Sequence, residues 1–468
     1  MRERHFRIAL LILGHGVFLS LLALAWKHAL LRTTFGDTAF QVFKWISQPG
    51  WDIEAHRYTA VVPQAGVKFF ALFGPGLRTL LIVASLAHVF VGYGIYMLCA
   101  HVWKSPRAAF GCAVAAVLCS RLAFYSPVLE ANYLLCYPFL FIGYIERNAR
   151  EDRFPWWRGV LAGALLLVPL IVHPVGWMVL LFCVVFVSVL GWLRGKMFAS
   201  LLALTAMWPL VVRWLFPPTA YEQEQYRAVG EGLREVGSIT RWGSWDFLSV
   251  HTFTATNTYL PALLVLLAVV LGWSLVKERR IALLTVAGTV AFLAAFLVTF
   301  HEGNSAVMQD RGVLPVATII ALSAAALVMR VESPRSRMLM VTLATVVLFV
   351  KIRDVSFASR PFVKQFTATE ELIALADEQG IPRGIVDCQR LRERDVEVSW
   401  AFPVETLLRS AVRGADQGRV LVCSDNLPPA DLLGSGQLEV LQLVWVVDKN
   451  GGRYFKPADS PYRTVVQH

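Results

Sequence analysis

Residues 1–26, MRERHFRIALLILGHGVFLSLLALAW, decide what kind of chain this is. A basic start leads into an apolar run too long for the core of a signal peptide, and no small-x-small cleavage site follows it. The stretch reads as a retained first membrane span. Residues 32–41, RTTFGDTAFQ, follow after five residues and place a carboxylate, Asp37, where that span surfaces. Working outward, apolar runs recur at about 77–100, 108–121, 131–146, 159–173, 175–193, 198–216, 259–276, 281–300, 312–329 and 338–352, which with 8–26 makes eleven candidate spans. The 468 residues are 56% hydrophobic and only 16% charged, where a soluble domain carries about a quarter charged residues. The expected fold class is therefore an α-helical polytopic membrane protein with about eleven transmembrane helices.

Basic clusters set the expected orientation. Arg2/Arg4/Arg7, Lys104/Arg107, Arg147/Arg150/Arg153/Arg158, Arg194/Lys196, Lys277/Arg279/Arg280 and Arg330/Arg335/Arg337 all fall on one side of the spans. Positively charged loops are retained in the cytoplasm. The N-terminus is thus expected inside and residues 353–468 outside. The formal charge of +11 is accounted for by these loop anchors and implies no nucleic-acid partner. The seven cysteines show neither CxxC nor zinc spacing. Cys388 and Cys423 are placed to form one disulfide if the C-terminal part is extracytoplasmic.

The expected domains are a membrane part, 1–352, and an extracytoplasmic α/β part, 353–468. In the first outer loop, 27–76, TAFQVFKWI and GVKFFALF read as two amphipathic helices lying in the interface, with Trp45, Trp51 and Tyr58 as headgroup-level anchors. Spans 108–121 and 159–173 offer about 14 residues each, or roughly 21 Å of helix, against a hydrocarbon core of about 30 Å. Their outer ends, at Ser120-Arg121 and His173-Pro174, should stop below the outer surface and line a sunken cavity. Beyond residue 353, FTATEELIALADEQG carries a capping box from Thr367 to Glu370 and a terminating Gly380. Strand-like GIVDC (384–388), RVLVCSD (419–425) and LEVLQLVWVVD (438–448) alternate with helical PVETLLRSAVRGAD, the pattern of a small α/β domain.

Walker, GxGxxG, HExxH and GxSxG motifs are absent. What remains is a group of polar residues expected at the outer face. They are Asp37, then Asp52, Glu54, His56 and Arg57 in WDIEAHRY, Arg121, Glu130 and Asn132 in SRLAFYSPVLEANY, His173, and Glu302 to Arg311 in HEGNSAVMQDRGVLP. A carboxylate beside several cations at a water–lipid boundary suits transfer from a lipid-linked phosphate donor. The carboxylate takes a proton from an acceptor hydroxyl, and the cations stabilise charge on the departing phosphate. Glu54, His56, Arg57, Arg121, His173 and Arg311 are the candidate contacts to the donor phosphate or the acceptor. Plainer readings stand beside these. Asp37 would cap a helix starting at Thr38, Glu54 to Arg57 would form a solvated turn, Arg121 would snorkel, His173-Pro174 would end a hairpin, and Arg311 would be an outer anchor.

The pattern resembles the GT-C superfamily of integral-membrane glycosyltransferases, especially its protein O-mannosyltransferase and aminoarabinose-transferase branch. Members have many spans, short cytoplasmic links, an interfacial first outer loop with an acidic residue soon after the first span, and often an extracytoplasmic C-terminal domain. FGDTAF puts Asp37 at that acidic position. The resemblance implies a polyprenyl-phosphate-linked sugar as donor, inversion at the anomeric carbon, Asp37 as general base and Arg57, Arg121 or Arg311 on the phosphate. It also implies a bacterial inner membrane with the C-terminal domain in the periplasm, and a lipid, glycan or protein acceptor. No paired acidic motif follows the first span, because Thr38 and Ala39 come after Asp37. That departure favours a metal-free mechanism: no cofactor is required, and a divalent metal is left open without being indicated. The competing readings are a transporter or flippase for lipid-linked saccharides, for which charge-free span centres and the lack of a repeat count against, an O-antigen-ligase-like enzyme, and a scaffold protein.

Overall fold

The computed structural model describes residues 2–53, 57–128, 130–149, 155–254, 257–393, 396, 398–423, 438–440, 443–445, 451–456 and 460–466. Helix α1 (Glu3–Lys27) is followed by α2 (Ala29–Thr33), α3 (Gly36–Ser47) and α4 (Val61–Ala71). Then come α5 (Leu77–Met97), α6 (Pro106–Leu118), α7 (Pro138–Asn148), α8 (Trp156–Leu170), α9 (Gly176–Val189) and α10 (Gly195–Leu215). Helices α11 (Ala220–Arg234) and α12 (Gly243–Ser249) precede α13 (Leu260–Leu275), α14 (Arg279–Thr299), α15 (Ala306–Val328) and α16 (Pro334–Phe357). Each of the eleven expected spans thus coincides with a helix, α1, α5 to α10 and α13 to α16. Five are long and apolar enough to cross a membrane, and α6, α8, α9 and α13 are shorter apolar helices. The architecture is that of a multi-pass helical membrane protein.

Helix α15 runs through the centre and is buried along almost its whole length. It packs on α6, an Ala-rich helix whose residues from Ala108 to Leu118 are all buried. Small side chains let such helices approach closely. A Cβ on Gly111 would stand 2.6 Å from Phe139 and 3.4 Å from the Ala325 methyl, so the fit leaves no room for one.

The basic residues gather at one end of the bundle. Glu3, Phe6, Arg7, Arg107 and Arg337 line a common crevice there, Arg107 pairs with Glu146 at 3.0 Å and Arg330 with Glu278 at 2.7 Å. Helix α6 starts at that end and stops after 13 residues, or about 20 Å at the α-helical rise. The chain then continues as buried 3-10 turns, Leu122–Tyr125 and Glu130–Leu135. Non-helical backbone at such depth persists only where the protein satisfies it, and here side chains do so. Asp310 accepts from the Ala123 N–H at 2.8 Å, Arg32 donates to the Phe124 carbonyl at 2.8 Å, and Thr318 to that of Leu134 at 2.9 Å. Asn132 donates towards the Ser126 and Pro127 carbonyls at 3.3 and 3.2 Å.

The first connecting loop departs from expectation in one helix and agrees in the other. Helix α4 carries exposed Phe69 and Phe70, with Leu72 and Phe73 exposed just beyond it, as an interfacial helix should. Helix α3 is buried on every side except at Asp37. Trp45 is consequently no headgroup anchor. It is 1% exposed and stacks on His88 of α5 with ring centroids 5.8 Å apart. The reason is that the C-terminal segment covers α3, closing what would otherwise be its polar face.

That segment begins without a break in helicity. Helix α17 (Ser359–Glu378) follows α16 after a single residue, Ala358. The expected capping box at Thr367 is an interior stretch of α17, because an S/T-x-x-E spacing is also compatible with mid-helix. Gly380 does end the helix region in a left-handed conformation, at φ +61°. Strand β1 (Arg383–Val386), α18 (Cys388–Glu393), α19 (Phe402–Ala411) and β2 (Val420–Cys423) follow. Strand β1 pairs in parallel with β2 and with the last strand, Arg463–Thr464, giving the order β2, β1, then that strand. LEVLQLVWVVD contributes a hairpin, Leu438–Val440 against Leu443–Trp445, rather than one strand. A disulfide joins Cys388 to Cys423. PPADLLGSG lies outside the described residues.

Candidate functional site

The site forms at the end of the bundle opposite the basic one, and Gly36 sets it up. Gly36 has φ +51°, a left-handed conformation that costs any L-residue about 1–2 kcal/mol. It turns the chain from α2 into α3. Helix α3 therefore starts at Gly36, not at Thr38, and Asp37 sits inside its first turn. No side chain caps this helix, so the N-cap reading of Asp37 is corrected. The carboxylate instead reaches across the molecule. Its Oδ1 accepts from the Trp400 indole N–H at 2.8 Å, and its Oδ2 pairs with Arg311 at 3.4 Å.

Arg311 lies in the second turn of α15 and is 6% exposed. It is not an outer anchor: burial in the bundle aims its guanidinium at Asp37. The same group donates to the Ser126 hydroxyl and contacts the Met308 sulfur at 2.9 Å. Ser126 in turn lies 3.3 Å from the Thr38 hydroxyl, one residue beyond Asp37. The Asp37 side chain remains about one-third exposed. Each carboxylate oxygen has two lone pairs, so the two contacts leave acceptor capacity on the open side.

Arg311 is shared with a cavity of about 220 Å³ that also holds Arg57, His173, Glu222 and Tyr226 against the apolar residues Phe292, Phe296 and Pro315. Arg57, His173, Glu222 and Tyr226 continue into an adjoining cavity of about 240 Å³, walled by Trp177, Trp208, Phe216 and Arg213. Together they make a mostly apolar groove with cations placed along it. The short α8 is what opens it. Its last residue is Leu170, and the connection to α9 carries His173, whose Nδ1 accepts from the Val175 N–H at 3.3 Å. His173 therefore both shapes the hairpin and lines the cavity.

Arg121 is not a wall of that groove. Its guanidinium meets the His251 Nδ1 at 3.0 Å, which requires the neutral imidazole as acceptor. Burial and then Arg121 push His251 down to about 4. Behind it Asp310 is fully buried and accepts from the Tyr259 hydroxyl at 2.6 Å. Asp52, from WDIEAHRY, is spent on the loop itself, pairing with Lys44 of α3 at 2.9 Å. Glu54 and His56 lie outside the described residues. Arg311, Arg57 and His173 thus line one opening, Asp37 joins them through its pair with Arg311, and Arg121 is set to one side.

Trp400, Glu405 and Arg409 are the contributors that sequence reasoning missed. Glu405 accepts from the Gly36 N–H at 2.7 Å and from the Ser399 hydroxyl. Arg409 donates to the Thr34 hydroxyl at 3.0 Å and its carbonyl at 3.1 Å. The one available signal was Glu405 and Arg409 at i and i+4 on a helix, a spacing equally common on surfaces. Among the described residues, the group with metal-ligating atoms within 4.8 Å of one another is Glu231, His301 and Glu302, and Asp37 is not part of it.

No protein-family model matches the chain, and no curated protein matches it in sequence. Among solved structures, the chain is similar to the crystal structure of ArnT from Cupriavidus metallidurans bound to undecaprenyl phosphate. The TM-score is 0.49 and the identity 13%, over 87% of this chain and 85% of that one.

Proposed function

We propose that the protein is a glycosyltransferase that moves a sugar from a polyprenyl-phosphate-linked donor to an acceptor hydroxyl, with inversion at the anomeric carbon. The observation that carries this reading is Asp37 paired with Arg311 at 3.4 Å, where Arg311 also lines an apolar cavity with Arg57 and His173. An apolar groove carrying cations is what an isoprenoid chain ending in a phosphate requires. Lipid tail and phosphate are recognised by opposite chemistries, and here one cavity offers both.

In the proposed reaction the acceptor oxygen attacks the anomeric carbon as the bond from that carbon to the phosphate oxygen breaks. The departing phosphate keeps the bonding electrons, and Arg311 and Arg57 balance its charge. The acceptor proton passes to Asp37, positioned as general base. Because Arg311 touches both the base and the cavity, it holds the two reacting ends at a fixed separation, which is how orientation lowers a barrier. Trp400 fixes the second carboxylate oxygen. His173 adds a hydrogen-bonding group to the same cavity. Arg121, held by His251 beside this arrangement, supplies long-range positive potential rather than direct contact. Glu54 and His56 are the remaining substrate contacts proposed from sequence. The membrane in question is the bacterial inner membrane, with the N-terminus cytoplasmic and the site on the periplasmic face.

The test is sugar transfer from a defined polyprenyl-phosphate sugar by wild type and Asp37→Asn, in which the amide keeps the shape and loses the base. A positioned general base contributes about 10²–10⁴-fold. A fall in kcat of that order with an unchanged donor KM is expected. Near wild-type turnover in Asp37→Asn would remove Asp37 from the mechanism, and wild-type inertness towards every polyprenyl-phosphate sugar offered would remove the reaction class.

A further inference from the structure

Arg32 presents a problem that the sugar-transfer site does not solve. It lies on α2, is 1% exposed, and makes three bonds, all to uncharged oxygens. Its Nε donates to the Phe124 carbonyl and its Nη1 to the carbonyl and hydroxyl of Ser85, each at 2.8 Å. The Ser85 hydroxyl passes its own proton on to the Ala25 carbonyl. Among the described residues, no carboxylate lies within ion-pair reach of it. A buried charge without a counter-ion is costly by several kcal/mol. Carbonyl dipoles and the Phe124 ring, 4.1 Å below the guanidinium, offset part of that cost and leave the net charge in place.

The guanidinium lines a cavity of about 70 Å³ with His88, Ser120, Asn132, Phe124 and Ala116. One water occupies roughly 10–15 Å³ on this measure, so there is room for a tetrahedral oxyanion. His88 is the second, independent observation. Its Nδ1 meets the Tyr133 hydroxyl at 2.7 Å, while its buried Nε2 has no hydrogen-bond partner among the described residues. Where Tyr133 donates to Nδ1, the Nε2–H becomes a donor, and Arg32 Nη2 adds two more that no group among the described residues uses. The rest of the lining is apolar, with Phe18 and Leu21 of α1 and Val89 and Gly92 of α5. Those residues lie further along the spans than Arg32, so the cavity grades from cationic to apolar towards the membrane middle.

We propose that the Arg32–His88 cavity is a second anion site, built for a phosphate-type oxyanion and separate from the groove of Arg57 and Arg311. The segment from Arg121 to Pro127 forms the partition. Ser126 faces Arg311 on one side of it, and the Phe124 carbonyl faces Arg32 on the other. The anion is either free in solution or the headgroup of a membrane amphiphile, whose chain the apolar end would accept. The proposal stands independently of the sugar-transfer reading.

The experiment uses the full chain in phosphatidylcholine nanodiscs, carrying Arg57→Gln and Arg311→Gln so that the groove no longer recognises phosphate. Thermal unfolding is followed with added inorganic phosphate at constant ionic strength, and separately in discs containing phosphatidic acid. Occupancy at 100 times the Kd stabilises by about 2.7 kcal/mol, a shift of several degrees. Stabilisation by inorganic phosphate assigns a free anion, and stabilisation by phosphatidic acid alone assigns a headgroup. Ala116→Leu, which fills the cavity from α6 and leaves Arg32 and its partners intact, should abolish the response in either case. Arg32→Gln should do the same where it folds. The proposal is overturned if neither anion stabilises the protein, or if the response survives Ala116→Leu.

Discussion

At the scale of single residues, the direction of the Asp37 carboxylate depends on the glycine before it. A Cβ at Gly36 would meet nothing within 4 Å, so substitution there tests backbone conformation alone. Gly36→Ala should destabilise by about 1–2 kcal/mol and lower transfer, because the strain relaxes by rotating the first turn of α3. Thermal unfolding and a transfer assay check this, and an unchanged melting temperature would show that φ +51° is not required. Trp400 tests the opposite side of the same carboxylate. Trp400→Phe keeps a ring against Phe40, whose centroid lies 5.0 Å away, and removes only the N–H. One hydrogen bond to a charged group is worth about 1.5–3 kcal/mol, so the melting temperature should fall by a few degrees and kcat roughly 10- to 100-fold, with donor KM held. A parallel rise in KM would mean that Trp400 shapes the groove instead of positioning the base. Asp37 was legible because few carboxylates sit at the edge of a membrane span. Trp400 was not, since 363 residues separate it from its partner and hydropathy says nothing about such pairings.

Between elements, the decisive contact is α19 on the turn from α2 to α3. Glu405 holds the Gly36 N–H and Arg409 holds both oxygens of Thr34. The C-terminal segment is thereby part of the site, supporting the residue that proposed catalysis depends on. Glu405→Ala leaves the Gly36 N–H and the Ser399 hydroxyl without their acceptor and removes a negative charge that partly offsets the burial holding the Arg409 guanidinium below its ordinary value. Leaving a buried group unsatisfied costs about 1–3 kcal/mol, so both stability and transfer should drop, although Glu405 lies outside the groove. The helical turn Val250–Thr254 gives a pH prediction. In the fold His251 is held near 4 and is therefore neutral, while an unfolded histidine titrates near 6.5. Stability from this neutral histidine is complete above pH 6.5 and is lost as pH falls from 6.5 towards 4. His251→Gln, which keeps an acceptor for Arg121 and cannot titrate, should flatten that part of the melting profile. An identical acid limb in both proteins would remove His251 as its source. The shortness of α6 and α8 was readable from the run lengths. The burial of α3 was not, because an amphipathic helix reads the same whether water or another domain covers its polar side.

For the whole molecule, the order of the helices followed from hydropathy, because each span must satisfy its own backbone. What hydropathy leaves undetermined is the partner of each outer loop, and hence the docking of the C-terminal sheet. Orientation connects the two. Arg7, Arg107 and Arg337 gather at one end of the bundle, and such an end is retained in the cytoplasm. In the proposed orientation the Cys388–Cys423 disulfide lies on the oxidising side, where it persists. This bridge closes a loop of 35 residues, and the chain-entropy argument gives it about 4 kcal/mol. It joins the start of α18 to the end of β2, beside the sheet on which α19 rests. Cys388→Ser with Cys423→Ser should therefore loosen α19 and depress transfer before the bundle melts, a separation of two transitions visible by calorimetry. The orientation itself is checked by introducing single cysteines in the Cys388→Ser/Cys423→Ser background and labelling intact cells with a membrane-impermeant maleimide. Exposed Arg463 on the last strand should label from outside when replaced by cysteine, and exposed Arg2 should not. Labelling at the Arg2 position alone would invert the molecule. The site would then face the cytoplasm, where a disulfide is reduced, and both the proposed donor side and the supporting role of the bridge would fall together.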